Sequence, residues 1–128
     1  MLRCLLDTHT LLWWLLDAPD LGPQSRAAIA DRRNQIHVSS ASVWEMSIQA
    51  SLGKLTIPGD IEAVIADEGF MPLHITHHHA QTAGQLPMLH RYPFDRMLMA
   101  QAQAEGLLLI TADADIAQYA LRRLDAHT

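Results

Sequence analysis

Four acidic residues, Asp7, Glu45, Asp95 and Asp113, stand at related points in a largely apolar pattern. Asp7 ends the run Leu2-Arg-Cys-Leu-Leu, and Asp113 follows Leu107-Leu-Leu-Ile-Thr. Glu45 falls about one turn into a helical pattern that follows Ile36-His-Val-Ser39, and Asp95 falls in the first turn of a helix opened by Pro93. An acid just beyond a buried strand sits where open α/β sheets bind ligands, in the crevice past the strand ends. Each acid taken singly is also a fair helix cap or a complement to a helix N-terminus. Taken as a set they carry a cost. Two carboxylates about 4 Å apart repel by roughly 4 kcal/mol at an effective dielectric of 20. Four converging acids must therefore hold protons or a divalent cation. Oxygen ligands without nearby cysteine suit Mg²⁺ or Mn²⁺. Such an ion activates water and steadies the leaving oxygen of a phosphodiester.

The elements that must position these acids alternate in type. Leu2 to Leu6 reads as a strand, and Thr8 to Leu16 as a helix whose Leu11, Leu12, Leu15 and Leu16 share a side. After a turn-rich break at Asp17-Ala-Pro-Asp-Leu-Gly-Pro23, a short helix runs from Ser25 to Arg33. Ile36 to Ser39 is a second strand, and Ser40 or Ser42 caps a helix that stops at Gly53. Asp60 caps a helix reaching Glu68, and Gly69 to Ile75 reads as a strand that Pro72 confines to an edge or an early position. Thr76 caps a helix from His77 to Gln85. Pro93 opens a longer one ending at Gly106. Leu107 to Thr111 is a strand buried on both faces, followed by a helix from Ala112 to Leu121 and a short strand at Arg122 to Leu124. This βαβα order predicts an α/β fold, with helices on both faces of a parallel sheet.

The 128 residues suit one domain, and no stretch is long and apolar enough to span a bilayer. The start lacks the basic region and small-residue cleavage site of a secretory leader, so a cytoplasmic protein without membrane attachment is expected. Cys4 is the only cysteine, which rules out an internal disulfide and fits a reducing compartment as a small buried apolar residue. A net charge of −5 argues against nucleic-acid binding by general attraction, unless a bound cation reverses the local field. Few aromatics are present, so no stacking platform is expected, and Trp13, Trp14 and Trp44 read as core.

Asp7-Thr-His-x-Leu-Leu-Trp, Ser39-x-x-Ser-x-Trp-Glu45, Pro93-Phe-Asp-Arg96 and Leu109-Ile-Thr-Ala-Asp113 occur in the order seen in PIN-domain proteins. The set resembles the VapC-like toxins of type II toxin–antitoxin pairs in particular. Gly53-Lys-Leu-x-Ile-Pro58, His79-Ala and Leu86-Pro-x-Leu-His90-Arg extend the likeness over nearly the whole chain. The resemblance implies a single PIN-like domain over residues 1–128, a three-layer α/β/α sandwich around a mainly parallel sheet of four or five strands. It also implies a Mg²⁺- or Mn²⁺-dependent ribonuclease acting as a toxin. Asp7 and Asp95 would be the leading metal ligands, with Glu45 and Asp113 completing the pocket or positioning water; Asp115 would be an additional acid. A cognate antitoxin, a homodimer, and DNA contact only through the antitoxin are implied as well. Tyr92 departs from the subgroup, which often carries an acid there.

His9 and Arg96 are candidate substrate contacts. Arg96 could equally form a structural ion pair, and His9, like His90, could equally pack or support a ligand. His77, His78 and His79 point in different directions on a helix and make a poor metal site. No serine or cysteine has a recognisable partner base nearby. A phosphoacceptor receiver would need paired acids after the first strand and a late lysine, yet the last lysine is Lys54. A haloacid-dehalogenase-like phosphatase would need a second acid where His9 stands. The remaining competitor is a catalytically weak PIN module that acts by binding RNA or a protein partner.

Overall fold

The computed structural model describes residues 1–128. Five strands form one parallel sheet: β1 (Arg3–Leu6), β2 (Gln35–Ser39), β3 (Met71–Leu73), β4 (Leu108–Thr111) and β5 (Arg123–Asp125). Their spatial order is β3-β2-β1-β4-β5. The chain thus steps outward from β1 to β3 on one side, then returns to place β4 on the other. β1 and β4 flank the point where the direction reverses, which is where sheets of this kind open a crevice beyond their carboxyl ends.

Side chains alternate across the sheet as a period of two requires. Cys4 and Leu6 of β1 pack with Ile36, Val38 and Ile110 on one face. Leu5 and Leu109 pack on the other. The first face is covered by α1 (Thr8–Leu15), α2 (Pro23–Ala30), α3 (Ser40–Ser51) and α4 (Ile61–Asp67), through Leu11, Ile29, Met46 and Ile65. The second is covered by α5 (His77–Gln85) and α6 (Pro93–Glu105), through Ala83, Leu98 and Met99. The three layers are those expected, with five strands. No helix is long and apolar enough to cross a membrane.

Most element ends follow local chemistry. Asp7, Ser39, Asp60 and Thr76 cap α1, α3, α4 and α5 with their side chains. The third-helix cap is thus Ser39, one residue earlier than Ser40. α6 starts with Pro93 in its first turn and ends at Gly106, whose φ of 65° is the left-handed turn that favours glycine.

Three differences have physical causes. The third strand is only Met71–Leu73, and it lies at the sheet edge, where the missing N–H of Pro72 costs no ladder bond. The second helix ends at Ala30, short of Arg33, because Asp31 turns extended and accepts from the Arg33 backbone and guanidinium. The last helix contracts to a 3-10 turn at Ala114–Gln118. Ile116 within it and Tyr119 just after it are both buried and three apart, a spacing that suits three residues per turn.

Candidate active site

Asp7 leaves the end of β1, and its amide donates to the Ile110 carbonyl of β4, which fixes the backbone between the two central strands. Its carboxylate is 4% exposed. One oxygen accepts from the Thr10 amide at 2.8 Å, the other from the Thr111 hydroxyl at 2.5 Å. Asp7 is therefore a real helix cap and also a wall of the pocket; the two readings of this residue coexist. Burial pushes its carboxyl pKa upward against the pull of these bonds. The Thr111 hydroxyl also accepts the Asp113 amide at 3.1 Å, so one side chain at the end of β4 ties both acids together.

Asp113 caps the 3-10 turn, accepting from the Asp115 amide at 2.9 Å through one oxygen. Its other oxygen meets His90 Nε2 at 2.7 Å. Asp95, in the first turn of α6, lies 3.1 Å from the same nitrogen. One ligand atom from each of His90, Asp95 and Asp113 falls within 4.8 Å of the other two. Burial, then the charge of Asp7, and further those of Asp113 and Glu45, push the Asp95 carboxyl up to about 6, against the pull of His90. Asp7, His9, Trp13, Asp95, Ala112 and Asp113 line a cavity of about 270 Å³. Larger cavities lie elsewhere, but neither holds a convergent group of acids.

Glu45 is buried on α3. Its Oε2 accepts from the Tyr92 hydroxyl at 2.6 Å, while Oε1 has no partner. The carboxylate holds the phenol proton and pushes the Tyr92 pKa up to about 12. A buried carboxylate oxygen without a partner, together with an acid whose pKa is raised first by burial and then by neighbouring negative charge, is an arrangement suited to a divalent cation. The donor set of Asp7, Asp95, Asp113 and Glu45 fits Mg²⁺ or Mn²⁺.

The other candidates separate. His9 is exposed at the cavity, with its ring stacked against Trp13 at 6.2 Å. Asp115 is exposed, outside the cavity lining, and gives only its amide to Asp113. Arg96 neither contacts solvent freely nor pairs with a carboxylate. Its buried guanidinium donates to the carbonyls of Ala83, Leu86, Pro87 and His90, so a phosphate contact and an ion pair are both excluded by its position. His77 and His78 are exposed while His79 is buried in a capping box with Thr76, so the three do not converge. Cys4 is buried, and burial pushes its thiol up to about 11, as an inert core residue requires.

Sequence reasoning missed several contributors. Thr111 and Tyr92 were visible only as parts of motifs, and Tyr119, which anchors the loop bearing His90, carried no signal. Trp44 is a correction. It is 62% exposed, edge-on to Phe94 at 5.1 Å, because α3 presents that side away from the sheet. Phe94 meets Tyr92 in turn at 5.6 Å, so an aromatic row does exist beside the acids despite the low aromatic content.

The PIN domain family model matches residues 4–121. Over 66 residues the chain is 38% identical to "Ribonuclease VapC16" of Mycobacterium tuberculosis, a match covering 48% of this chain and 47% of that protein. The chain therefore spans about half the length of the curated relative it matches. Among solved structures it resembles VapBC2 from Rickettsia felis bound to a promoter DNA fragment, with a TM-score of 0.69 and 17% identity over 96% of this chain and 98% of that one. DNA-bound VapBC from Salmonella typhimurium gives 0.68 and 21%, covering 98% of each chain. At these identities the structures establish a shared fold.

Proposed function

Because this chain belongs to the PIN-domain family, we propose that it is a metal-dependent endoribonuclease and the toxin of a toxin–antitoxin pair. The observation that carries this reading is the group of acids beyond β1 and β4, in which Asp7 and Glu45 are buried and Asp95 and Asp113 partly so, Glu45 keeps an unpartnered oxygen, and Asp95 retains its proton to about 6. Asp7 and Asp95 would hold a Mg²⁺ or Mn²⁺ ion, and Asp113 and Glu45 would complete the shell or orient water. When bound, such an ion neutralises the acids, raises the acidity of water and stabilises charge on the phosphodiester. Asp7, clamped between Thr10 and Thr111, keeps its geometry whether or not the pocket is filled. Beside such a cation Asp95 would be held in its ionised form. His9 at the cavity is the residue best placed to meet the RNA backbone.

Further proposals concern partners and place. The names of the structural relatives support an antitoxin as a protein partner, with DNA met only through it. A homodimer is supported by exposed apolar side chains including Trp44, Ile48 and Leu52 on α3. The cytoplasm is the proposed location, consistent with the buried free cysteine.

The test is cleavage of a structured RNA pool by antitoxin-free protein, with Mg²⁺ or Mn²⁺, with chelator, and with Asp95→Asn in parallel. Cleavage that needs metal and falls at least 100-fold in the variant supports the nuclease. Metal binding without cleavage in either protein would favour the binding module instead.

A further inference from the structure

His90, which the sequence leaves as a packing or ligand-supporting residue, is held closely by its surroundings. Its amide donates to the Tyr119 hydroxyl at 2.8 Å, and that hydroxyl donates to the Pro87 carbonyl at 2.6 Å. Arg96 donates to both the His90 and the Pro87 carbonyls, at 3.0 and 3.1 Å. The loop is thus held from two helical elements, and its imidazole lies against two acids, Asp95 at the start of α6 and Asp113 just beyond β4. Within the ring, Nδ1 accepts the Tyr92 amide at 3.3 Å. An Nδ1 that accepts leaves the ring proton on Nε2. Nε2 then donates to Asp113 at 2.7 Å, lies within ion-pair reach of Asp95 at 3.1 Å, and has no free lone pair for an ion.

The acids differ in how they are held. Asp7 and Asp113 each have both oxygens engaged by donors, which leaves a second lone pair on every oxygen for a cation. The Asp95 carboxylate has a single polar partner, His90 Nε2.

We propose that His90 is a positioning residue of the metal site, whose Nε2–H orients Asp95 and Asp113 for a divalent cation without ligating it. This rests on the reading that the acids bind such an ion. Hydrogen-bond partners of metal-binding carboxylates are worth roughly 10- to 100-fold in metal affinity. Removing this one frees the only acid with no other restraint.

The experiment is titration calorimetry of chelator-stripped protein with Mn²⁺, for wild type, His90→Ala, His90→Gln and Asp95→Asn. His90→Ala is expected to weaken Mn²⁺ binding by about 10- to 100-fold. His90→Gln, which keeps an N–H donor at similar reach, is expected to recover much of that loss. Equal or tighter binding by His90→Ala would overturn the proposal, since the ring would then make no contribution to the geometry of the acids. Wild-type protein that binds no Mn²⁺ would instead remove the nuclease reading, and this proposal with it. Nitrogen NMR of the imidazole with and without Mg²⁺ gives a measurement independent of the alanine variant's folding. Nε2 should stay protonated when the ion binds. Loss of that proton with coordination through Nε2 would make His90 a ligand and refute the positioning role.

Discussion

Asp95 bears the heaviest electrostatic load in the pocket, and its consequence is measurable without RNA. Its carboxyl titrates near 6 in the folded chain, against about 4 in an unfolded one. The folded state therefore holds the proton more tightly, and this contribution is greatest when the group is protonated. As pH rises from about 4 through about 6, the metal-free protein loses on the order of 3 kcal/mol through this residue. Thermal melts in chelator should thus fall across that window. Asp95→Asn should flatten the fall and raise the midpoint at pH 7.5. A variant no more stable than wild type at that pH would show that Asp95 is not the strained group. Asp7, Asp95 and Asp113 stood out in the sequence because each follows a strand or opens a helix, and Glu45 because it lies about one turn into one, within a motif shared with the family. The Tyr92–Glu45 bond, the Thr111 bridge and the inward-facing carbonyls that claim Arg96 were not legible. The first and last depend on the path of residues 86 to 92, which no local pattern specifies, and the Thr111 bridge depends on a contact between residues 104 apart in the chain.

That loop is the element on which the site's precision depends, and Arg96 is what shapes it. A planar guanidinium serves four carbonyls from α5 and the loop at once, at distances from 2.7 to 3.1 Å. Lysine has the charge but cannot present donors in that fork. Arg96→Lys should cost about 2–3 kcal/mol and leave the loop amides, His90 among them, exchanging faster with solvent. Urea denaturation and hydrogen exchange would test both effects, and a loop that stays protected would refute the assignment. The strands β1 and β4 were readable because burial on both faces leaves an unbroken apolar run. β3 was overestimated because its flanking apolar residues serve edge and loop positions. The last helix was overestimated because helical spacing does not distinguish a 3-10 turn over so few residues.

At the scale of the whole molecule, filling the pocket should stabilise the fold, since an ion bound only by the assembled site favours the folded state. At a free Mg²⁺ concentration 100-fold above its dissociation constant the gain is about 2.7 kcal/mol, or on the order of 10 °C in the midpoint for a chain of this size. Calorimetry at rising Mg²⁺ would show it. A midpoint indifferent to both Mg²⁺ and Mn²⁺ would contradict a built metal site. The strand order adds a consequence for how such a protein is made. β1 leaves the ribosome first, yet one of its two neighbours is β4, at Leu108–Thr111, and Asp113 lies further on. A nascent chain carrying α1 to α6 therefore has three of the five strands and lacks the β4 side of the crevice. The acid-lined crevice is therefore assembled late in synthesis, only after β4 and Asp113 have followed α6 out of the ribosome.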